Sequence, residues 1–153
     1  MSSRLFQSVR EERGLVYTIY AAVNPFFDCG NLNIYAATSA ERMTETIEAT
    51  LNEIRRLRQH QIGEPELRRN KEQLKASLML NLESTSSRMS SLAHSEMTFG
   101  RNMTPEEVID AVEAVTVEDL QRMANDIFGQ DRLAVTVLGD LDGFSLQRSD
   151  LEC

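Results

Sequence analysis

The sequence of 153 residues is poor in the residue types that build metal and redox sites, with two cysteines and two histidines, and it contains no tryptophan. Cys29 and Cys153 lie far apart, and their spacing matches no metal-binding or redox motif. We therefore interpret both as reduced thiols, which favours a reducing compartment and predicts a cytoplasmic location.

The two histidines do not form a ligand set. Neither His60 nor His94 belongs to an H-x-x-E-H arrangement, in which a helix would place two imidazoles on one face. Glu96 follows His94 closely, but a single pair of this kind is more typical of a surface contact than of a metal site. The sequence therefore predicts no metal bound by this chain.

Long apolar runs and an excess of positive charge are also missing. No run approaches the roughly 20 residues that span a bilayer, and no basic segment followed by a hydrophobic one opens the chain. Sixteen basic and twenty-four acidic residues give a net charge of −8, which is unfavourable for binding nucleic acid or an anionic membrane. G-x-S-x-G, P-loop and dinucleotide-binding fingerprints do not occur.

The apolar periodicity predicts one α+β domain, with a mostly antiparallel sheet covered by helices. An opening helix precedes strands over 16–23 and 31–38, five helices follow, and a last strand over 133–138 returns to the sheet. Because both alternate faces of the first strand are apolar, we expect it to be central and covered on both sides. Residues 141–153 lack periodicity and are expected to fray.

Local signals mark the ends of the predicted helices. They are the N-cap Ser39, the glycine stop Gly63 followed by the proline start Pro65, the serine-rich break from Ser84 to Ser87, the capping box from Thr104 to Glu107, and a further helix start at Thr116.

One arginine and one tyrosine flank a predicted helix stop near the start of the chain. Arg10 stands beside the apolar stripe of an opening helix, and Gly14 can adopt the left-handed conformation that ends a helix. Tyr17 follows in the β-branched and aromatic run of the first strand. A guanidinium and a phenol on either side of this corner could converge on one acceptor. Structural roles are the alternative, because an arginine at a helix end commonly bonds the last carbonyls and a strand tyrosine commonly packs.

The run from residue 1 to residue 17 resembles the second-half signature of the pitrilysin/insulinase zinc metallopeptidases, a family that includes mitochondrial processing peptidase. Further segments resemble the same half, in the same order, and extend the similarity over nearly the whole chain. These segments are 28–38, 64–67, 99–107, 114–120 and 135–140.

The resemblance implies that residues 1–140 are a C-terminal, substrate-binding domain without a metal site, N-terminally incomplete, followed by a tail over 141–153. Zinc would belong to the full-length enzyme, held by an H-x-x-E-H in the first half, and none would be bound by this chain. In the family an arginine and a tyrosine spaced like Arg10 and Tyr17 reach the substrate near that zinc. The implied partners are a peptide or polypeptide substrate, the zinc-bearing N-terminal half and a second copy in a homo-oligomer; a eukaryotic member would lie in the mitochondrial matrix.

Two other interpretations stay open at this point. One is a non-catalytic scaffold or core subunit of the same fold, although such subunits often lose the pair that Arg10 and Tyr17 represent. The other is an acidic protein-interaction module. That module would be favoured if both residues were buried and fully bonded and if the surface carried one large apolar patch.

Overall fold

The computed structural model describes residues 3–129, 132–141 and 143–151. A two-stranded antiparallel sheet follows an opening π-helix and precedes a series of helices, so the predicted α+β class is confirmed. The elements in chain order are a π-helix Phe6–Glu12, β1 Thr18–Pro25, β2 Gly30–Ala37, a first 3-10 helix Ala40–Arg42, α1 Met43–Gln59, α2 Glu64–Glu83, α3 Thr85–Phe99, α4 Pro105–Ala114, α5 Val117–Ile127 and a second 3-10 helix Arg148–Leu151. Two compact units result, one of residues 1–60 with 122–153 and one of residues 61–121.

The first unit contains the predicted hairpin. β1 and β2 pair in antiparallel register from Thr18 opposite Ala37 to Pro25 opposite Gly30. The first strand begins two residues later than the sequence predicts, because Val16 turns into the core and is buried there. The hairpin thus starts immediately after the corner that carries Tyr17.

The expectation that the first strand is central and covered on both faces is wrong. Ile19 and Ile34 pack inward, whereas Tyr20 and Tyr35 on the opposite face are 51% and 47% exposed. In the described part of the chain the sheet consists of β1 and β2 alone, so each strand also has an open edge. Apolar residues on two faces make burial favourable but do not supply the layer that buries them.

The predicted strand over 133–138 is likewise wrong, because residues 132–138 form no strand in the structure. A β-branched run becomes a strand only where a neighbouring strand meets its N–H and C=O groups. Leu133 instead packs against a core cluster that α1 and α5 share. Leu151 of the second 3-10 helix packs against the same cluster, so the described end of the predicted tail has local structure.

Two apolar clusters form the core of the first unit and hold the hairpin against α1. One joins the π-helix, the following corner, β1 and α1, and the other joins α1 to α5 and the residue after it. Their buried members are Val9, Leu15, Val16, Ile19 and Ala49 in the first cluster, and Leu51, Ile54, Ala124 and Phe128 in the second.

α1 begins differently from the prediction. Ser39 precedes a 3-10 helix rather than α1 itself, and its side chain makes no capping hydrogen bond. The three- and four-residue spacing of Met43, Ile47, Leu51, Ile54 and Leu57 predicts an apolar stripe on this helix. The stripe is confirmed, since Met43, Leu51 and Ile54 are buried. The buried face of α1 is therefore the one that packs against the hairpin.

The second unit contains α2, α3, α4 and the first turn of α5, and its helix boundaries follow the local signals. Pro65 lies in the first turn of α2, the Ser84 hydroxyl accepts from the N–H of Ser87, and Thr104 with Glu107 forms the predicted capping box. The spacing of Leu67, Leu74 and Leu78 predicts the apolar face of α2; Leu67 is buried, whereas Leu74 is exposed. No helix in the described ranges combines the length and hydrophobicity needed to cross a bilayer.

Candidate functional site

The corner between the π-helix and β1 places Arg10 and Tyr17 in the first unit. Gly14 has φ +62°, as predicted for the residue that ends the helix. Its N–H donates to the carbonyl of Arg10 at 3.0 Å, and the N–H of Leu15 donates to the carbonyl of Val9 at 3.0 Å. The second bond spans one residue more than in a Schellman ending, consistent with the wider π-helical turn before it.

The end of β2 holds the far side of this corner. The N–H of Tyr17 donates to the carbonyl of Ala37 at 2.8 Å. The hydroxyl of Thr38 donates to the carbonyl of Leu15 at 2.6 Å. The successive residues Ala37 and Thr38 thus bond the backbone on both sides of Val16, at the N–H of Tyr17 and the carbonyl of Leu15.

Arg42 makes a third contact to the corner, because its guanidinium donates to the carbonyl of Gly14. Arg42 belongs to the 3-10 helix that leads into α1. Backbone carbonyls at Gly14 and Leu15 are therefore both bonded by side chains from the segment that follows the hairpin. The corner is held by tertiary contacts as well as by its own glycine.

Arg10 lies on the π-helix and is half-buried. Its guanidinium carbon stands 4.8 Å from the centroid of the Phe6 ring, within the range of a cation–π contact. Phe6 in turn packs against the first core cluster. Among the described residues the guanidinium makes no ion pair, so its N–H donors are available to an added acceptor.

Tyr17 is presented to solvent, with 74% of the residue surface exposed. Its backbone is fixed by Ala37, but its phenol makes no hydrogen bond within the described ranges. The sequence-based alternative that Tyr17 packs in a strand is therefore wrong. The structure places both predicted residues on one braced corner, where the phenol and the guanidinium find no acceptor among the described residues.

Three residues of the brace were not predicted, namely Thr38, Arg42 and Thr46, which donates to Thr38. Their hydrogen-bond partners lie 8 to 28 residues away in the sequence, so no local motif predicts these three contacts. The one usable signal is the hairpin, since pairing Thr18 with Ala37 places Thr38 beside the corner.

The residues that commonly bind metals do not cluster in the described part of the chain. His60 ends α1, and His94 is exposed on α3. Throughout the described ranges, no group of three or more His, Cys, Asp or Glu side chains is placed to hold a metal ion. Cys29 is an exposed free thiol in the hairpin loop, and Cys153 lies outside the described residues.

The second unit holds a mostly apolar groove of about 270 Å³ between α2 and α4, lined by Leu74, Lys75, Ser77, Leu78, Asn81, Val108, Ile109 and Val112. The ammonium at its rim is already engaged, because Lys75 pairs with Glu113 and with Glu72. These hydrogen bonds raise the pKa of Lys75, and the bond from Lys75 lowers the pKa of Glu113. The charged group that lines the groove, the Lys75 ammonium, is therefore already paired and is not a candidate reactive group.

Residues 1–74 match a family model described as the peptidase M16 inactive domain. The chain belongs to the M16, or pitrilysin, peptidase family. The matched segment contains the whole corner with Arg10 and Tyr17, both strands and α1. The resemblance to the C-terminal half of this family is thereby confirmed.

Two bacterial relatives place this M16 chain among proteins named as zinc proteases. It is 42% identical over 134 residues to YmxG, an uncharacterized zinc protease of Bacillus subtilis, with 86% of the chain and 32% of the relative covered. An uncharacterized zinc protease of Mycobacterium tuberculosis is 39% identical over 139 residues, with 91% and 32% covered. The chain thus spans about a third of the length of these curated relatives.

Two solved structures share the M16 fold with this chain. A chain of complex III from Candida albicans superposes with a TM-score of 0.72 at 24% identity, over 82% of this chain and 30% of that one. The periplasmic protease PqqL from Escherichia coli gives a TM-score of 0.57 at 16% identity, over 79% and 14%. At these identities the two likenesses establish the α+β fold and nothing about activity.

Proposed function

We propose that this chain is the substrate-binding, non-metal part of a zinc-dependent processing endopeptidase. In this role Arg10 and Tyr17 contact a peptide near the zinc, which a separate half of the enzyme holds. The observation that carries the proposal is the exposed phenol of Tyr17, on a corner braced from three sides and shared with Arg10.

The chemistry of peptide hydrolysis requires such donors. The carbonyl oxygen of the cleaved bond gains negative charge as the tetrahedral intermediate forms, and donors aimed at that oxygen lower the barrier. A phenol O–H and a guanidinium supply donors of this kind. Loss of one preorganised donor typically costs about 3 kcal/mol, or roughly a hundredfold in rate.

The local backbone supports a functional role for the corner. Arg10 lies in a π-helical segment, and π-helical turns are rare and often mark functional sites. Under this proposal the zinc is supplied by a separate half of the enzyme, which is therefore the partner of this chain. The bacterial relatives, of which this chain covers 32%, are named as zinc proteases and are consistent with that arrangement.

A chimera tests the proposal. The matching third of the Bacillus relative is replaced by this chain, and hydrolysis of a library of extended peptides is followed by mass spectrometry. We expect cleavage that falls about a hundredfold in Tyr17→Phe and in Arg10→Ala, with zinc content unchanged.

Matched controls come from the same corner and hairpin. Tyr20→Phe removes a phenol hydroxyl from β1, on a residue that is 51% exposed, and Arg13→Ala removes the arginine that follows the π-helix. Both should retain the parent rate. A folded, zinc-loaded chimera that leaves peptides intact while the Bacillus parent cleaves them would contradict the proposal and favour a non-catalytic scaffold. Equal rates in Tyr17→Phe and Tyr20→Phe would refute the role of Tyr17.

A further inference from the structure

We propose that Thr38 and Thr46 are positioning residues for Tyr17, joined to its corner by a relay of two hydroxyl groups. The inference rests on the proposed function, because it concerns how that function's donor is aimed. Neither threonine contacts a substrate in this scheme. Both act through the backbone that carries Tyr17.

The first step of the relay is the bond from the Thr38 hydroxyl to the carbonyl of Leu15, at 2.6 Å. Leu15 is itself buried in the first core cluster. Its carbonyl is two residues before Tyr17, and the N–H of Tyr17 is bonded to Ala37, next to Thr38. Residues 15 and 17 are thus both held by the end of β2, which fixes the direction in which the Tyr17 side chain leaves the backbone.

The second step anchors Thr38 itself. The hydroxyl of Thr46 donates to the hydroxyl of Thr38 at 3.3 Å, and Thr46 is only 4% exposed. Since Thr38 donates its one proton to Leu15, its oxygen is free to accept from Thr46. Thr46 stands on α1 among its buried residues, so a rigid helix sets the orientation of the relay.

The relay is distinct from ordinary helix contacts on the same element. Thr50, one turn further along α1, donates its hydroxyl to the carbonyl of Thr46 at 2.8 Å, and within the described ranges it makes no hydrogen bond to the corner. Thr50→Val therefore removes a hydroxyl of the same type, on the same helix, without altering the relay from Thr46 to Leu15. It is the matched control for Thr38→Val and Thr46→Val.

The test measures kcat and KM in the chimera that contains this chain. We expect Thr38→Val to lower kcat about tenfold with little change in KM, because a misaimed donor weakens the transition state more than binding. Thr46→Val should lower kcat less, since the bond to Leu15 survives. Thr38→Ser keeps the hydroxyl and should restore kcat, and Thr50→Val should leave it unchanged.

A double-mutant cycle separates positioning from general stability. In a Tyr17→Phe background, Thr38→Val should cause no further loss of kcat, because no phenol is left to aim. A full additional loss in that background, or unaltered kcat in Thr38→Val with Tyr17→Phe still impaired, would overturn the positioning role. If Tyr17→Phe has no effect at all, the proposed function fails instead. Should Thr38→Val fail to fold, Thr46→Val carries the same cycle.

Discussion

The rings of Tyr20 and Tyr35 stack across the hairpin, with centroids 5.3 Å apart and planes inclined by 27°. The two residues are direct partners in the register of β1 and β2. Their face of the sheet is exposed, so the stack covers part of each ring where no other layer does within the described residues. A cross-strand aromatic pair of this kind strengthens a sheet that has only two strands there.

This stack predicts a measurable coupling. Tyr20→Ala and Tyr35→Ala should each lower the free energy of unfolding, and the double variant should reveal about 1 kcal/mol of interaction between the rings. Urea unfolding of the 153-residue chain measures all four stabilities. Additive losses would show that the rings contribute singly, without a stacking interaction.

Val9 and Val23 provide a matched pair of opposite burial. Val9 is 0% exposed in the first core cluster, whereas Val23 in β1 is 69% exposed. Val9→Ala should cost about 2 kcal/mol through lost apolar burial and a residual cavity. Val23→Ala should change stability by no more than about 0.5 kcal/mol. Equal losses in urea unfolding would contradict the assignment of Val9 to the core.

Gly14 and Gly63 test the backbone of the corner. Gly14 has φ +62° with open space around it, so Gly14→Ala should cost about 1 kcal/mol from conformation alone. Gly63, the N-cap of α2, has φ −73°, a conformation that alanine adopts readily, so Gly63→Ala should lack this conformational cost. Thermal unfolding distinguishes the two, and a neutral Gly14→Ala would argue against the left-handed helix ending.

The pair of Lys75 and Glu113 predicts a pH dependence of stability in the second unit. Hydrogen bonding by Lys75 lowers the pKa of Glu113 below its ordinary 4.5. The stabilisation is therefore complete above pH 4.5 and is lost as pH falls through the lower folded-state pKa. The pKa of Lys75 is raised above 10.5, so its contribution is complete below that pH and is lost as pH rises through the folded value.

Thermal unfolding between pH 2 and pH 7 checks the acidic side. The difference in midpoint between the parent chain and Glu113→Gln should shrink as the pH is lowered past 4.5. In a Lys75→Gln background the same substitution should show a weaker dependence, because the hydrogen bond that contributes most to the lowered pKa is absent and only the attraction of Lys71 is left. A difference that stays constant with pH in the parent would count against the pair.

Several features of this chain were predictable because they depend on residues close together in sequence. The capping box of Thr104, the proline start of α2 at Pro65 and the left-handed Gly14 all follow from side chains and backbone within a few residues. The opening motif around Arg10 and Tyr17 could be recognised in the sequence for the same reason. Its local spacing, together with a family resemblance, indicated both the fold and the candidate site.

Other features depended on partners far along the chain. The run over 133–138 has strand composition but meets no ladder partner in the described residues, and composition cannot report whether a partner is there. The exposed face of Tyr20 and Tyr35 has the same origin, since apolar residues do not determine that a layer covers them.

By itself the sequence determined the α+β class, the hairpin, most helix boundaries and the two residues of the candidate site. Only the tertiary structure decided that Tyr17 is exposed and that Thr38, Thr46 and Arg42 hold its corner. The physical reason is one of range. Caps and turns form through hydrogen bonds between residues a few positions apart in the sequence. The brace, in contrast, forms only when the end of β2 and the start of α1 fold back onto the first corner.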